Sequence, residues 1–271
     1  MSEDLPAEVA CRVVGVSVSG FYMWRRRKPS ARAVRHAMLA DVIREVHDAS
    51  RRTYGARRVH AELVLGRQMT VARCSVELVM RRLGLAGLPG RPRYRKIPNT
   101  PTATDLVNRD FARTEPNRLW LTDITEHRTR EGKVYCAVVL DAFSRRVVGW
   151  AIDSSQTANL VVNALGMAIE NRQAEGVVIH SDHGTQGELN RSSMGSIGDC
   201  YDNGQMESFW ARMQVELLNR KRWSTRLELA NAIFEYLEIF HNRQRRHSSL
   251  GMLSPIEYEL RHANTARDQA S

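Results

Sequence analysis

Three carboxylates stand in sequence settings that suit a divalent-metal site. Asp123 and Asp182 each come at the end of an apolar run typical of a buried strand, and Glu207 follows a turn at Gly204 that leads into a helix. Ionised carboxylates that are brought together repel one another, and oxygen-seeking divalent cations relieve that repulsion. If the three converge, the predicted chemistry is phosphoryl transfer on nucleic acid, with two Mg2+ ions clamping the attacking and leaving oxygens. An isolated Asp at a strand end is usually a turn or cap residue, so the prediction depends on all three together.

The charge distribution predicts a polyanionic partner for the first part of the chain. The whole sequence has 40 Lys+Arg and 30 Asp+Glu, a net charge of +10. Residues 1–110 hold 21 basic and 10 acidic side chains, whereas residues 111–271 hold 19 and 20. A basic first part joined to a neutral second part is typical of a nucleic-acid grip attached to a different activity. A solvated basic surface without a specific partner is the alternative.

The first part has the pattern of two basic helical groups. Residues 7–27 predict a helix-turn-helix whose second helix ends in a basic cluster, and residues 35–84 predict a second group that breaks at Tyr54 and is capped by Gly84. Two such groups in series favour DNA over a membrane surface. A third basic cluster near residue 245 either contacts phosphates or only complements a helix dipole. The candidate DNA contacts are Arg25, Arg26, Arg27, Arg57, Arg58, Arg73, Arg81, Arg82, Arg243 and Arg246.

A Pro- and Arg-rich linker separates this region from a mixed α/β domain. Five of the eight prolines lie in residues 88–117, a composition that excludes a regular element. Beyond it, the periodicity and two capping signals, Thr225 with Glu228 and Ser254 with Glu257, predict strands and then helices on a small sheet. The predicted elements are strands at 119–126, 133–140, 147–152 and 177–180, and a helix at 157–172.

Several motifs resemble the transposases of the insertion-sequence-three family, in the product of their second reading frame. They are Leu119-Trp120-Leu121-Thr122-Asp123-Ile124-Thr125, Leu140-Asp141-Ala142-Phe143-Ser144-Arg145-Arg146, His180-Ser181-Asp182-His183-Gly184, Tyr201-Asp202-Asn203-Gly204 with Glu207-Ser208-Phe209, and His241-Asn242-Arg243 with Arg246-His247-Ser248-Ser249-Leu250-Gly251. Tyr54-Gly55-Ala56-Arg57-Arg58 is similar to that family's helical DNA-binding segment.

The resemblance implies an RNase H-like fold, the integrase catalytic core, preceded by an all-α region of helix-turn-helix type. It implies that Asp123, Asp182 and Glu207 bind Mg2+ or Mn2+ and catalyse strand cleavage and strand transfer at insertion-element ends. Asp141 is not among the family's acids, so we interpret it as a hydrogen-bonded turn residue. The implied partners are double-stranded DNA, namely element ends and target, further copies of the chain, and the product of an upstream reading frame.

The expected domains are a helical DNA-binding region at 1–87, the linker at 88–117, the catalytic core with its C-terminal helices at 118–262, and a disordered tail at 263–271. No long apolar run or leader is present in the sequence, and we expect a cytoplasmic protein that joins the nucleoid when bound to DNA. The four cysteines are too scattered for a zinc site or a disulfide framework, and we expect reduced thiols in the core. His180 and His183 invite a zinc interpretation, but no other ligands accompany them at suitable spacing. We expect Trp120, Trp150 and Trp210 to be core residues rather than base-stacking platforms.

The sequence departs from the resemblance in one segment. Between Asp182 and Glu207 lie 24 residues, about 11 fewer than expected, which corresponds to roughly three turns of helix. Loss of that structure predicts an exposed sheet edge, an unseated Glu207 helix, and a Glu207 carboxylate too far from the two aspartates to share a metal. The alternative function is therefore a catalytically defective, DNA-binding transposase remnant.

Overall fold

The computed structural model describes residues 6–88, 114–181 and 204–270. Residues 6–88 contain the helices α1 (Ala7–Val14), α2 (Val18–Arg26), α3 (Ala31–Ala49), α4 (Ala56–Ala61) and α5 (Arg73–Arg82). The chain continues from α4 through a π-helical turn, Glu62–Gly66. Both predicted helical groups are thus confirmed, and most of the predicted linker lies outside the described residues.

Local hydrogen bonds explain where these helices begin and end. The Ser17 hydroxyl accepts the N–H of Gly20 at 3.1 Å and caps the start of α2. After α5 the chain turns through Gly84 at φ 65°, and the N–H of Leu85 donates to the carbonyl of Met80 at 2.9 Å. This bond satisfies a carbonyl left open at the helix end, because only a residue with a left-handed backbone closes the turn in this way. The cap predicted at Gly84 is confirmed.

The second part of the chain is built on a mixed sheet with the order β3-β2-β1-β4 among the described strands. The antiparallel pairs are β1 (Leu119–Thr129) with β2 (Gly132–Asp141), and β2 with β3 (Val147–Asp153); β4 (Val178–Ser181) pairs parallel to β1. All four predicted strands are present. The two faces of the sheet are buried by different partners, since side chains alternate along each strand.

One sheet face packs on α6 (Ala158–Arg172), through Trp120, Val139 and Val148. Gly149 permits this approach, because a Cβ there would collide with the backbone of Ala164. The other face packs on the helices that follow the sheet. These are α7 (Gly204–Glu216), α8 (Arg226–Phe234) with its π-helical continuation Glu235–Gln244, and α9 (Pro255–Ala270).

Both predicted capping boxes are formed. The Thr225 hydroxyl accepts the N–H of Glu228 at 3.0 Å and begins α8. The Ser254 hydroxyl accepts the N–H of Glu257 at 3.4 Å, while the Glu257 carboxylate accepts the N–H of Ser254 at 2.7 Å. The N-terminal donors of α8 and α9 are therefore partly satisfied by their own side chains.

The helical region packs directly on the second part of the chain. One continuous cluster of buried apolar side chains contains Ile43, Val59 and Leu63 together with Leu237 and Phe240. Its presence means that residues 31–88 and the second part of the chain share a core.

Polar contacts reinforce this packing. The Tyr54 hydroxyl donates to the carbonyl of Gln244 at 3.0 Å and accepts the N–H of Arg246 at 2.7 Å. Arg51 also forms an ion pair with Glu235 at 2.8 Å. The two parts are therefore bound to each other by buried and specific contacts.

The prediction of a disordered tail is wrong for residues 263–270, because α9 continues to Ala270. The helix is anchored by Glu259, which pairs with Arg146 at 2.8 Å and Arg172 at 2.5 Å, and no helix breaker follows it. Among the described residues, no helix is long and apolar enough to cross a membrane. The described thiols of Cys11, Cys74 and Cys136 are free, and Cys74 is exposed rather than in the core.

Candidate active site

Asp123 lies near the middle of β1, half-buried, after four residues that are all buried. Its Oδ2 accepts the indole N–H of Trp210 at 3.0 Å, and its Oδ1 accepts the N–H of Ile124 at 2.8 Å. These two bonds fix the orientation of the Asp123 carboxylate. The arrangement suits an oxygen ligand that is held in place before a metal arrives.

Glu207 is carried by α7, which presents an apolar stripe to the sheet. Met206, Phe209, Trp210 and Met213 are buried, whereas Glu207 is exposed. Residues three apart in a helix lie on the same side, so Glu207 is one turn before Trp210, the residue that contacts Asp123. The helix that bears Glu207 is therefore packed on the strand that bears Asp123.

Asp182 itself lies outside the described residues. The strand before it, β4, pairs parallel to β1, and its last residue, Ser181, is the register partner of Thr122. Thr122 immediately precedes Asp123. β4 thus ends beside the middle of β1, whereas β1 itself continues past Asp123 to Thr129.

The expectation that the short segment unseats the Glu207 helix is wrong, because the Trp210 bond and the buried stripe seat α7 on β1. β4 is the edge strand of the described sheet, but residues 182–203, which follow it, lie outside the described residues, so the expected exposed edge stays a prediction. The segment itself, including Gly187 to Ser192, lies outside the described residues. The predicted separation of the Glu207 carboxylate from both aspartates stays a prediction.

The described donors fit a hard divalent cation, since Asp123 and Glu207 offer carboxylate oxygens. The described residues contain no group of three or more potential ligands, and the third predicted acid is not among them. His180 lies on β4, half-buried, and His183 is outside the described residues.

Asp141 is a structural residue, as predicted. Its side chain is fully buried at the end of β2 and accepts the N–H groups of Asn117 at 2.7 Å, Phe143 at 2.8 Å and Ser144 at 3.3 Å. Burial raises its pKa, against the effect of these hydrogen bonds. Asp141 holds the β2–β3 turn together and has no role as a metal ligand.

The predicted DNA-contact arginines separate into exposed and buried groups. Those whose residues are exposed are Arg25, Arg26, Arg27, Arg57, Arg73, Arg81, Arg82 and Arg243. Arg73 forms an ion pair with Glu77 at 3.0 Å, because residues four apart are neighbours on the surface of a helix.

The prediction that Arg246 contacts DNA is wrong. Its guanidinium is buried between Glu62 at 2.7 Å and Glu257 at 2.6 Å, so it ties the helical region to α9. Arg58 is mostly buried and lies 3.8 Å from Glu216. This basic cluster is therefore a largely internal network of ion pairs, and the interpretation that it faces solvent and contacts phosphates is corrected.

The sequence did not reveal the centre of that network. Glu216 at the end of α7 accepts two hydrogen bonds from Arg245, both at 2.7 Å, and one from the Tyr236 hydroxyl at 2.9 Å. Burial alone would raise the pKa of Glu216, but Arg245 outweighs it and holds that pKa below the ordinary value. The one signal in the sequence was Glu216 itself, an acid at a position where the apolar stripe of α7 would continue.

Two histidines are buried beside these arginines. His241 shares a hydrogen bond with the carbonyl of Arg145 at 2.9 Å, and its ring lies 5.0 Å from that of His247. Burial lowers the pKa of His241 to about 4 and also lowers the pKa of His247. Both rings are therefore neutral at pH 7.

The prediction that the tryptophans are core residues is confirmed for Trp120 and Trp210, which are buried. Trp150 is half-buried and donates to Glu238 at 2.8 Å.

The comparisons with known protein families agree with this architecture. An integrase core domain family matches residues 113–216, and a second integrase core domain family matches residues 190–255. An HTH-like domain family matches residues 35–93.

Two relatives match nearly the whole chain. The insertion element IS600 uncharacterized 31 kDa protein of Shigella sonnei is 36% identical, over 94% of this chain and 99% of the relative. Transposase InsF for insertion sequence IS3A of Escherichia coli strain K12 is 36% identical, over 94% of each chain. The first alignment spans 277 positions, more than the 271 residues of this chain, so it contains positions that this chain lacks.

Solved structures give more distant likenesses. The HTLV-2 integrase catalytic core domain in complex with magnesium (trimeric form) is 17% identical, covers 54% of this chain and 98% of its own, and gives a TM-score of 0.34. The simian T-cell lymphotropic virus intasome in complex with PP2A regulatory subunit B56 gamma is 13% identical, covers 79% and 73%, and gives a TM-score of 0.42.

Proposed function

This chain belongs to the insertion-sequence-three family of transposases, and from that premise we propose that it cleaves and joins DNA strands at the ends of its element with Asp123, Asp182 and Glu207 as its catalytic carboxylates. The fold is an integrase core preceded by a helical HTH-like region. The reaction proposed is a phosphoryl transfer between polynucleotides.

The observation that carries the proposal is the 3.0 Å bond from the Trp210 indole to Asp123. It joins the helix of Glu207 to the strand of Asp123 despite the shortened segment between Asp182 and Glu207. A metal site demands supporting contacts of this kind, since small errors of position abolish it. The bond therefore favours an active enzyme over a core that cannot assemble.

Asp123 and Glu207, with Asp182, would hold Mg2+ or Mn2+. When bound at such a site, divalent ions polarise the phosphate and activate the attacking oxygen. The chain's own contribution is positional: Trp210 and the N–H of Ile124 fix the Asp123 carboxylate, and the buried stripe of α7 fixes the helix axis. The side chain of Glu207 stays exposed for the substrate.

The exposed arginines of the helical region are proposed to hold the DNA duplex. Arg25 and Arg26 end α2, and Arg81 and Arg82 end α5, each as an exposed pair. Such contacts release counterions from the DNA. The logarithm of the association constant therefore falls linearly with the logarithm of the salt concentration, with a slope of about 0.9 per phosphate neutralised. Further copies of the chain, an upstream reading-frame product and a nucleoid location belong to the same proposal.

The test is strand cleavage and joining on element-end oligonucleotides with Mg2+, for the full chain and for Asp123→Asn, Asp182→Asn and Glu207→Gln. We expect products from the wild-type chain alone, with DNA affinity preserved in all four proteins because the grip lies elsewhere. Arg81→Gln combined with Arg82→Gln is the matched control, and it should lose affinity and salt dependence.

The second candidate function is a DNA-binding remnant without catalysis. It is motivated by the short segment between Asp182 and Glu207. Salt-dependent DNA binding without any wild-type product would support the remnant and reject the enzyme.

A further inference from the structure

A cavity whose lining does not include Asp123 or Glu207 lies where α4, α7, the β2–β3 turn and the segment after Gln244 meet. Its volume is about 130 Å3, and the cationic side chains that line it are Arg58, Arg145, Arg212 and Arg245. A water occupies roughly 30 Å3 of liquid, so the cavity accommodates a group several times that size.

The cavity contains more positive charge than its described surroundings neutralise. The neighbouring acid, Glu216, has both oxygens engaged by Arg245 and lies 3.8 Å from Arg58. Within the described residues, no ion pair is formed by Arg145 or Arg212. Burial and the charge of Arg245 lower the pKa of Arg145, and the same causes lower that of Arg58. A half-buried guanidinium without a counter-charge is costly, and an anion would relieve that cost.

The other lining groups are suited to an anion. Ser208 is exposed in the first turns of α7, and Ser248 and Ser249 are exposed across the mouth of the cavity. Gln205 also lines the cavity. Hydroxyl donors, the amide donors of a glutamine and guanidinium forks are groups that bind phosphate oxygens.

We propose that this cavity binds a phosphate of the DNA backbone, at a position distinct from the bond that is cut. The proposal rests on the proposed function, because it takes its ligand from the same DNA. Arg145 is the central contact: it is half-buried, unpaired among the described residues, and carried by the turn that Asp141 fixes.

Helix geometry gives the distance from the candidate active site. Gln205, Ser208 and Arg212 lie on one side of α7, because at 3.6 residues per turn they fall within a narrow arc, whereas Glu207 lies about half a turn away. The diameter of a helix with its side chains is about 10–12 Å. The cavity is therefore separated from Glu207 by roughly one helix diameter, and the bound phosphate lies within a few nucleotides of the reacting one.

The first test uses inorganic phosphate and the full chain. The melting temperature is measured in phosphate and in chloride at equal ionic strength for the wild type, Arg145→Gln and Arg128→Gln. Arg128 is an exposed arginine on β1, so its variant removes the same charge outside the cavity. We expect phosphate to raise the melting temperature of the wild type and of Arg128→Gln. Arg145→Gln should weaken phosphate binding by roughly 10-fold to 100-fold, the loss typical of a charged hydrogen-bond partner.

The second test locates the phosphate on DNA. Element-end oligonucleotides with one neutral methylphosphonate at each successive position are titrated with the same proteins without divalent metal. The wild type should lose affinity at one position within a few nucleotides of the element end, and Arg145→Gln should be insensitive to that substitution. Arg145→Lys, which keeps the charge but not the fork, should be intermediate and guards against a folding defect in the glutamine variant.

An equal phosphate response in wild type and Arg145→Gln would overturn the proposal. A second pair of results would also overturn it: phosphate stabilises the protein only when Arg145 is present, yet the wild type and Arg145→Gln respond alike to every methylphosphonate position. That pair would show that the cavity binds free phosphate and not the DNA backbone. Neither measurement requires strand cleavage, so a catalytically dead chain that passes both would refute the transposase activity and leave the cavity assignment standing.

Discussion

At the scale of single residues, the indole of Trp210 connects two catalytic candidates that are 84 positions apart in the sequence, Asp123 and Glu207. A ligand carboxylate is oriented by the groups that hydrogen-bond to it, and loss of such a group typically costs 10-fold to 100-fold in metal affinity or activity. The orientation of Asp123 is thus expected to depend on a residue that contacts no substrate.

We predict that Trp210→Phe raises the Mg2+ concentration needed for half-maximal strand transfer by about 10-fold or more, because it deletes the N–H and keeps the ring. The measurement is a Mg2+ titration of strand transfer. The matched control is Trp223→Phe, which deletes a buried N–H bond of 2.9 Å to the carbonyl of Leu218 away from Asp123. A control that shifts the Mg2+ requirement equally would contradict this role of Trp210.

At the scale of elements, the capping boxes at α8 and α9 were visible in the sequence, and each is formed by bonds within a few residues. We predict that Thr225→Ala lowers the free energy of unfolding by about 1 kcal/mol. Urea unfolding measures it, with Ser224→Ala as control, since Ser224 contributes its backbone N–H to Glu228 and alanine keeps that group. Equal stability of Thr225→Ala and the wild type would reject the cap.

The π-helical segment that ends at Gln244 and the loop after it predict a pH dependence. The pKa of His241 in the folded chain is about 4 and that of His247 is well below its ordinary value of 6.5. Well above pH 6.5 both rings are neutral in both the folded and the unfolded chain, and the stability is full. As the pH falls from 6.5 toward 4, the unfolded chain takes up protons that the folded chain excludes.

The free energy of unfolding should therefore decrease by up to about 1.4 kcal/mol per pH unit for each histidine. Urea unfolding in phosphate-free buffer between pH 7 and 5 measures this slope. His241→Gln should remove about half of it, and a stability independent of pH over this range would contradict the buried neutral rings.

Local signals predicted the strands and the caps, because each depends on neighbours in sequence, whereas the structural role of Asp141 was predicted from the family resemblance. They could not predict the fate of the basic cluster near residue 245. Arg246 pairs with Glu62, 184 positions away, and Arg245 pairs with Glu216, 29 positions away. A run of arginines has the same local appearance whether its charges meet DNA phosphates or distant carboxylates. The seating of α7 was missed for the same reason, since Trp210 and Asp123 are far apart in the chain.

At the scale of the whole molecule, the helical region and the catalytic part share a core through Tyr54. We predict that Tyr54→Phe lowers the free energy of unfolding by about 1–3 kcal/mol, because it leaves the N–H of Arg246 and the carbonyl of Gln244 without a partner. Hydrogen exchange should show faster opening of α3–α5 and of α8 together. The matched control is Tyr22→Phe, at a 41% exposed tyrosine. Faster exchange confined to the helical region would show that the two parts open independently.

The central claim is that this shortened chain still brings Glu207 to the metal site of Asp123. Mn2+ binding to the full chain, followed by electron paramagnetic resonance, tests it most directly, with Asp123→Asn, Glu207→Gln and Glu175→Gln compared at equal protein concentration. Glu175 is an exposed acid before β4 and serves as the control. We predict that Asp123→Asn and Glu207→Gln each weaken Mn2+ binding by 10-fold or more, roughly the effect of losing a charged partner, while Glu175→Gln does not. Loss of Mn2+ in Asp123→Asn with unchanged binding in Glu207→Gln would contradict the claim, because it would place Glu207 outside the site.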